Sequence, residues 1–206
     1  MQLRTSIAIS LTAALVACAV LGSLIWTHAA ANFKSPQLDG TKIQSAAPEP
    51  EVALIDEDGR SFRLTGKRGK EVVLFFGYAH CPDVCPATLA KLAQADHSLG
   101  SQAGNVTVAF VTVDPQRDTI SALKRYVGLF DPRFYGLTGS PKALGTFYSV
   151  YHVWHQKLPN HGSAAGYLMA HSSSIYMLDR DGHLRVIHDW SDSPAVLAHD
   201  MKALME

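Results

Sequence analysis

The segment Cys81-Pro82-Asp83-Val84-Cys85 places two thiols four positions apart. It directly follows the apolar run Val72-Val73-Leu74-Phe75-Phe76-Gly77-Tyr78. That order predicts a buried strand handing over to a helix. Residues at i and i+4 share a helix face, so both sulfurs can point at one atom. A dithiol placed in this way can close a disulfide or hold a thiophilic metal such as Cu(I). The free N–H groups and positive dipole end of the helix favour thiolate over thiol, which serves both chemistries. The flanking His80, Pro82, Asp83 and Pro86 are turn residues near a surface, not the neighbours of an inert core pair.

Two thiolates leave a Cu(II) or Zn(II) site incomplete, so a nitrogen donor must come from elsewhere. Among the ten histidines, the candidates are His80, His152, His155, His161, His171, His183 and His188. His171 lies in Leu168-Met169-Ala170-His171-Ser172, just before a predicted strand; spacing alone reads it as a surface-loop histidine. His152, His155 and His161 share one polar stretch, read as a solvated loop, with metal loading or partner contact as the alternative. His80 points away from Cys81 if the backbone is still extended there. Asp114 closes the second buried strand, at the end where α/β folds place their sites. It either orients a ligand or tunes a thiol, or it belongs to a turn. Asp118 or Thr119 supplies the N-cap of the next helix.

The elements that must position these groups follow from periodicity and turn signals. Residues 51–64 read as a short hairpin and 71–78 as a strand buried on both faces. Helical spacing covers 87–99, and 105–113 is a second buried strand rich in β-branched residues. A helix at 118–130, a short strand at 134–137 and a helix opening at Ser140-Pro141 follow. Residues 155–166 read as a polar loop. Strands at 173–178 and 183–188 flank the turn Asp179-Arg180-Asp181-Gly182, and a last helix runs from Ser193-Pro194 to about Leu204. The expected fold is α/β and thioredoxin-like: a central mixed sheet flanked by helices, with an N-terminal hairpin extension. No internal repeat is visible.

Composition bounds the rest. Of 206 residues, 47% are hydrophobic and 17% charged, which provides for a core and excludes global disorder. Lys+Arg and Asp+Glu are 18 each, so nothing electrostatic recommends nucleic acid as a partner. Residues 7–25 carry no charge, a length fit to span a bilayer. We expect residues 1–31 to be an uncleaved membrane anchor, 32–50 a flexible Pro-containing linker and 51–206 the folded domain. The alternatives are cleavage near Ala29-Ala30-Ala31 or lipidation at Cys18, which ends a lipobox-like Leu15-Val16-Ala17-Cys18. Each places the domain outside the cytoplasm, in an oxidising compartment. The expected location is a bacterial inner membrane with the domain facing the periplasm. With Cys18 in or at the membrane, the body holds one thiol pair, too local to be a structural disulfide framework.

Three blocks together resemble the Sco/SenC family: 76–86 (FGYAHCPDVCP), 112–119 (TVDPQRDT), and His171-Ser172 ahead of Ile175-Tyr176-Met177-Leu178-Asp179. The resemblance covers about residues 51–206 with the motifs in order. It implies a thioredoxin-like domain binding one copper, as Cu(I) or Cu(II), through Cys81, Cys85 and His171. It implies a metallochaperone for the dinuclear copper centre of cytochrome c oxidase, with that enzyme's copper-bearing subunit or another copper- or thiol-exchange protein as partner. Some bacterial relatives act instead as thiol reductants of copper-site cysteines or in copper and redox homeostasis. Family members often carry an acidic residue just before the metal histidine, where this chain has Ala170.

Two functions therefore compete. A copper chaperone uses all three ligands. A thiol–disulfide oxidoreductase needs only the cysteines, with Cys81 favoured as the attacking thiol. Three residues separate the thiols, against two in thioredoxin-type oxidoreductases. Peroxide reduction fits less well, because no isolated peroxidatic cysteine has a distant resolving partner.

Overall fold

A strand buried on both faces must be central to its sheet, and in the computed structural model Glu71–Gly77 is buried along its whole length. The structure describes residues 20, 21, 23, 37–44, 49–159 and 166–205. Residues 37–206 form one compact unit. Its strands are β1 Thr41–Lys42, β2 Leu54–Ile55, β3 Ser61–Phe62, β4 Glu71–Gly77, β5 Val106–Thr112, β6 Tyr135–Leu137, β7 His155–Lys157, β8 Met169–His171, β9 Ile175–Leu178 and β10 Leu184–His188. Its α-helices are α1 Val84–Ser98, α2 Ile120–Gly128, α3 Pro141–Val150 and α4 Pro194–Met205.

Six strands make the main sheet in the order β1-β10-β9-β4-β5-β6. β4, β5 and β6 run parallel, and β9 and β10 close the other side antiparallel, so the sheet is mixed as expected. β4 pairs with β5 over seven residues and with β9 over four. Helices cover the sheet, which is why Val72 to Phe76 read as a continuous apolar run rather than an alternation. Phe75, Phe76, Phe110 and Phe147 are fully buried in the one core. The expected hairpin extension is β2–β3, joined to the body by an Ile55–Thr138 bridge.

Three local readings are corrected. α1 begins at Val84 rather than at 87. Pro86 falls in its first turn, where a missing N–H costs nothing. Within the polar stretch 32–50, Thr41–Lys42 pairs with β10 as an edge strand of the main sheet. The 155–166 stretch does not read through as a loop, because His155–Lys157 forms β7 and pairs antiparallel with β8. These last two strands carry no apolar alternation, so periodicity could not show them.

Among the described residues no helix is long and apolar enough to cross a membrane. The apolar run 7–25 lies almost entirely outside those residues, as do Cys18 and His161.

Candidate metal centre

The C-terminal end of β4 delivers the chain to the site. Gly77 is the last strand residue, and a Cβ there would lie 2.7 Å from Cys85 Sγ and 2.7 Å from Phe110 Cε2. A side chain is thus excluded at the point where Cys85 packs against the sheet. The loop 78–83 then turns, with Cys81 N–H donating to the Tyr78 carbonyl at 3.1 Å. Asp83 occupies the N-cap of α1 but makes no side-chain capping bond. Cys81 Sγ instead accepts the Cys85 N–H at 3.4 Å. A sulfur therefore satisfies one of the orphan donors of the helix.

His171 comes from the opposite side, as the last residue of β8 rather than from a loop. Its Nε2 lies 3.4 Å from Cys85 Sγ. Its Nδ1 donates to the Ser172 carbonyl at 2.9 Å, which turns Nε2 toward the sulfurs as the nitrogen open to a metal. Tyr78 meets the imidazole edge-to-face at 5.8 Å between ring centres. The two sulfurs and a His171 nitrogen all lie within 4.8 Å of one another. Both cysteines are free thiols; Cys85 is buried and Cys81 half-buried.

The two thiols are not equivalent. Hydrogen bonding from Cys85 is the largest influence on Cys81; burial opposes it, while His171 and the backbone amides of Asp83 and Cys85 add to it. The Cys81 thiol is held down at about 4. Cys85 is pushed strongly upward, first by its bond to Cys81 and then by burial. At neutral pH the pair is a thiolate at Cys81 and a thiol at Cys85, a reactive sulfur beside a reserve one. Two soft sulfurs and one imidazole suit copper in either oxidation state and suit hard cations poorly.

Around this centre the structure sorts the other candidates. The oxygens of Asp114 are taken by Arg117 Nε and, at 2.7 Å, by the Tyr167 hydroxyl, not by the thiols. Thr119 caps α2 by accepting Ala122 N–H at 3.2 Å. Asp118 is fully buried and accepts from Ala79 N–H at 3.2 and 3.1 Å and from Thr112 Oγ1 at 2.6 Å. It ties the end of β5 to the loop two residues before Cys81, a role that sequence reasoning missed when it offered Asp118 only as a cap. Desolvation raises its pKa. The signal was a second aspartate after a strand end that already carried a cap residue. His80 Nδ1 is 3.7 Å from Asp118 and stays half-exposed. His155 pairs directly with His171 across β7 and β8, and its ring lies 4.5 Å from that of Tyr148. Partial desolvation of the ring, on a residue otherwise exposed, and the neighbouring His171 keep it neutral to lower pH. Ala170 alternates with His171 along β8, so a residue there faces away from the sulfurs. His188 is buried between Asp192 and Asp200 on β10, two strands across the sheet from β4.

The family model for SCO1/SenC matches residues 41–206. The chain belongs to the SCO1/SenC family. The mitochondrial SCO2 homologue of Bos taurus is 40% identical over 141 residues, 68% of this chain and 53% of that protein. This chain thus spans about half the length of that relative. Bradyrhizobium japonicum ScoI, solved with copper bound, superposes with a TM-score of 0.67 at 35% identity, over 74% of this chain and 96% of that one. Apo Sco1 from Thermus thermophilus superposes with a TM-score of 0.70 at 34% identity, over 82% and 97%. These likenesses establish the thioredoxin-like α/β fold of the SCO1/SenC proteins for this chain.

Proposed function

We propose that this SCO1/SenC protein is a copper metallochaperone whose cargo is one copper ion held by Cys81, Cys85 and His171. The observation that carries the reading is the convergence of two sulfurs and an imidazole nitrogen within 4.8 Å, from two separate parts of the chain. The exchange steps of a dithiol reductase need only the two sulfurs. His171 is nevertheless oriented for ligation by its Nδ1 contact to Ser172. That the Bradyrhizobium relative was solved with copper bound supports copper as the cargo. Transfer proceeds by ligand exchange with thiols on the acceptor. The acceptor we infer is the copper-bearing subunit of cytochrome c oxidase, with the domain tethered by residues 1–31 at the outer face of the bacterial inner membrane.

A second reading rests on the unequal thiols. Cys81 thiolate attacks a target disulfide, forming a mixed disulfide and releasing one target thiolate. Cys85 then gives up its proton and displaces the second target sulfur, leaving a Cys81–Cys85 disulfide. An external dithiol must reduce that bond before copper can enter, so the two functions share one site.

Titrating the reduced full chain with Cu(I) against a competing chelator, beside His171→Ala, separates the readings. We expect one-to-one binding that the variant weakens by at least ~100-fold, since even supporting groups around a metal are worth about 10–100-fold. Binding indifferent to His171, with reductase activity retained in the variant, would assign the protein to thiol exchange.

A further inference from the structure

The hairpin that carries His171 is not hydrogen-bonded into the main sheet. β7 and β8 form a separate two-stranded sheet of three residues each, and β8 is only partly buried. Two short strands alone are marginal, so something on the body must hold them in place. At the far end of the hairpin, Trp154 and Ser172 exchange hydrogen bonds, but these lie within the hairpin itself. The near end is Tyr167, two residues before β8 begins.

Tyr167 is gripped from the body. Arg117, on the loop after β5, lays its guanidinium 3.6 Å from the Tyr167 ring centre. Its Nη1 donates to the Tyr167 carbonyl at 2.9 Å. Asp114 holds Arg117 through Nε and accepts the Tyr167 hydroxyl at 2.7 Å. From the other face of the ring, Lys157 of β7 places Nζ 3.7 Å from the centre. The tyrosine is thus clamped between a cation of the body and a cation of the hairpin. Arg117 also lies 5.7 Å from the Tyr78 ring, the ring that abuts His171. The side chain of Arg117 is only 17% exposed, so the grip is held in a partly desolvated place where cation–π and charged hydrogen bonds gain strength.

We propose that Arg117 is a positioning residue for the metal centre: by gripping Tyr167 it docks the β7–β8 hairpin and sets His171 over the cysteine pair. This rests on the three-donor reading given above. The planar fork and stacking face of arginine are both used, so lysine is not an equivalent residue.

The test uses the full chain carrying Arg117→Ala, Arg117→Lys or Tyr167→Ala, with two readouts. The first needs no copper: amide hydrogen exchange of the reduced apo protein. Exchange at Leu158, Ala170 and Ser172, the amides at bonded positions of the hairpin, is expected to rise at least ~10-fold in Arg117→Ala and Tyr167→Ala, with β4 and β5 amides unchanged. The second is the Cu(I) titration, where both variants are expected to keep one-to-one binding and lose ~10–100-fold in affinity. Arg117→Lys is expected to fall near Arg117→Ala in both. Unchanged exchange at Leu158, Ala170 and Ser172 in the alanine variants would overturn the clamp, as would faster exchange with copper affinity intact. Should Arg117→Ala loosen β5 as well, Tyr167→Ala decides, since it leaves the loop after β5 its own bonds. If His171→Ala binds copper as the parent chain does, the three-donor reading fails, while the exchange readout still judges the clamp.

Discussion

Replacing Gly77 by alanine tests how tightly the end of β4 and the cysteine pair are built together. The new methyl would meet Cys85 Sγ at 2.7 Å and the Phe110 ring at 2.7 and 3.2 Å, each well inside van der Waals contact. Neither neighbour has room to retreat, because Cys85 and Phe110 are both fully buried. Overpacking a core by one methyl typically costs ~1–3 kcal/mol. For a domain of this size that corresponds to a Tm lower by roughly 2–12 °C. The cheapest relief is movement of Cys85, whose Sγ sits 3.4 Å from His171 Nε2. Copper affinity of the folded variant should therefore fall together with stability. Gly128→Ala is the control: nothing lies within 4 Å of a Cβ there, and it is a helical position in α2. It should gain about 0.5–1 kcal/mol. The assay is urea unfolding of the reduced apo protein with an m-value check, followed by Cu(I) competition. An unchanged midpoint and unchanged copper affinity in Gly77→Ala would refute the packing argument.

Two further outcomes follow from the unequal ionisation of buried groups. Alkylation of the native reduced protein with iodoacetamide should modify Cys81 and spare Cys85; its rate should hold nearly level from pH 8 down to pH 5 and fall as pH drops through about 4, where Cys81 protonates. Modification of both cysteines at equal rates, read by mass spectrometry, would contradict the assignment. Glu71 is fully buried at the start of β4, and neither of its oxygens has a hydrogen-bond partner among the described residues. Burial, then the charges of Asp200 and Asp96, raise its pKa well above the usual range. Stability from the protonated carboxyl is complete below the unfolded-state pKa and is lost as pH rises through the folded one. Glu71→Gln should therefore be more stable than the parent at neutral pH, by a margin that shrinks towards pH 4; a margin independent of pH in urea unfolding would rule this out.

The cysteine segment was legible because it sits where two strong signals meet. An uninterrupted apolar strand, Val72 to Phe76, ends in Gly77, and a proline-containing helix start follows. Those features locate the end of a central strand without any tertiary information. Residues whose roles depend on long-range pairing were not legible. Thr41 and Lys42 are exposed and polar, and they become strand only because β10 offers an open edge. His155, Gln156 and Lys157 are all exposed and acquire strand structure from β8. His171 was singled out by family resemblance, since its spacing alone marked a loop histidine. Asp118 looked like an ordinary cap, and only its burial and its bonds to Ala79 and Thr112 reveal a brace for the cysteine loop. Asp114 turned out to hold Arg117 and Tyr167, a contact between two loops that one sequence does not display.

The claim that copper is bound by two sulfurs and one imidazole is tested most directly by X-ray absorption at the copper edge, on the full chain loaded with one equivalent of Cu(I). The account predicts two sulfur scatterers and one nitrogen scatterer with the outer-shell pattern of a single imidazole, which disappears in His171→Ala. Sulfur scatterers without an imidazole, or an imidazole signal that survives His171→Ala, would contradict it.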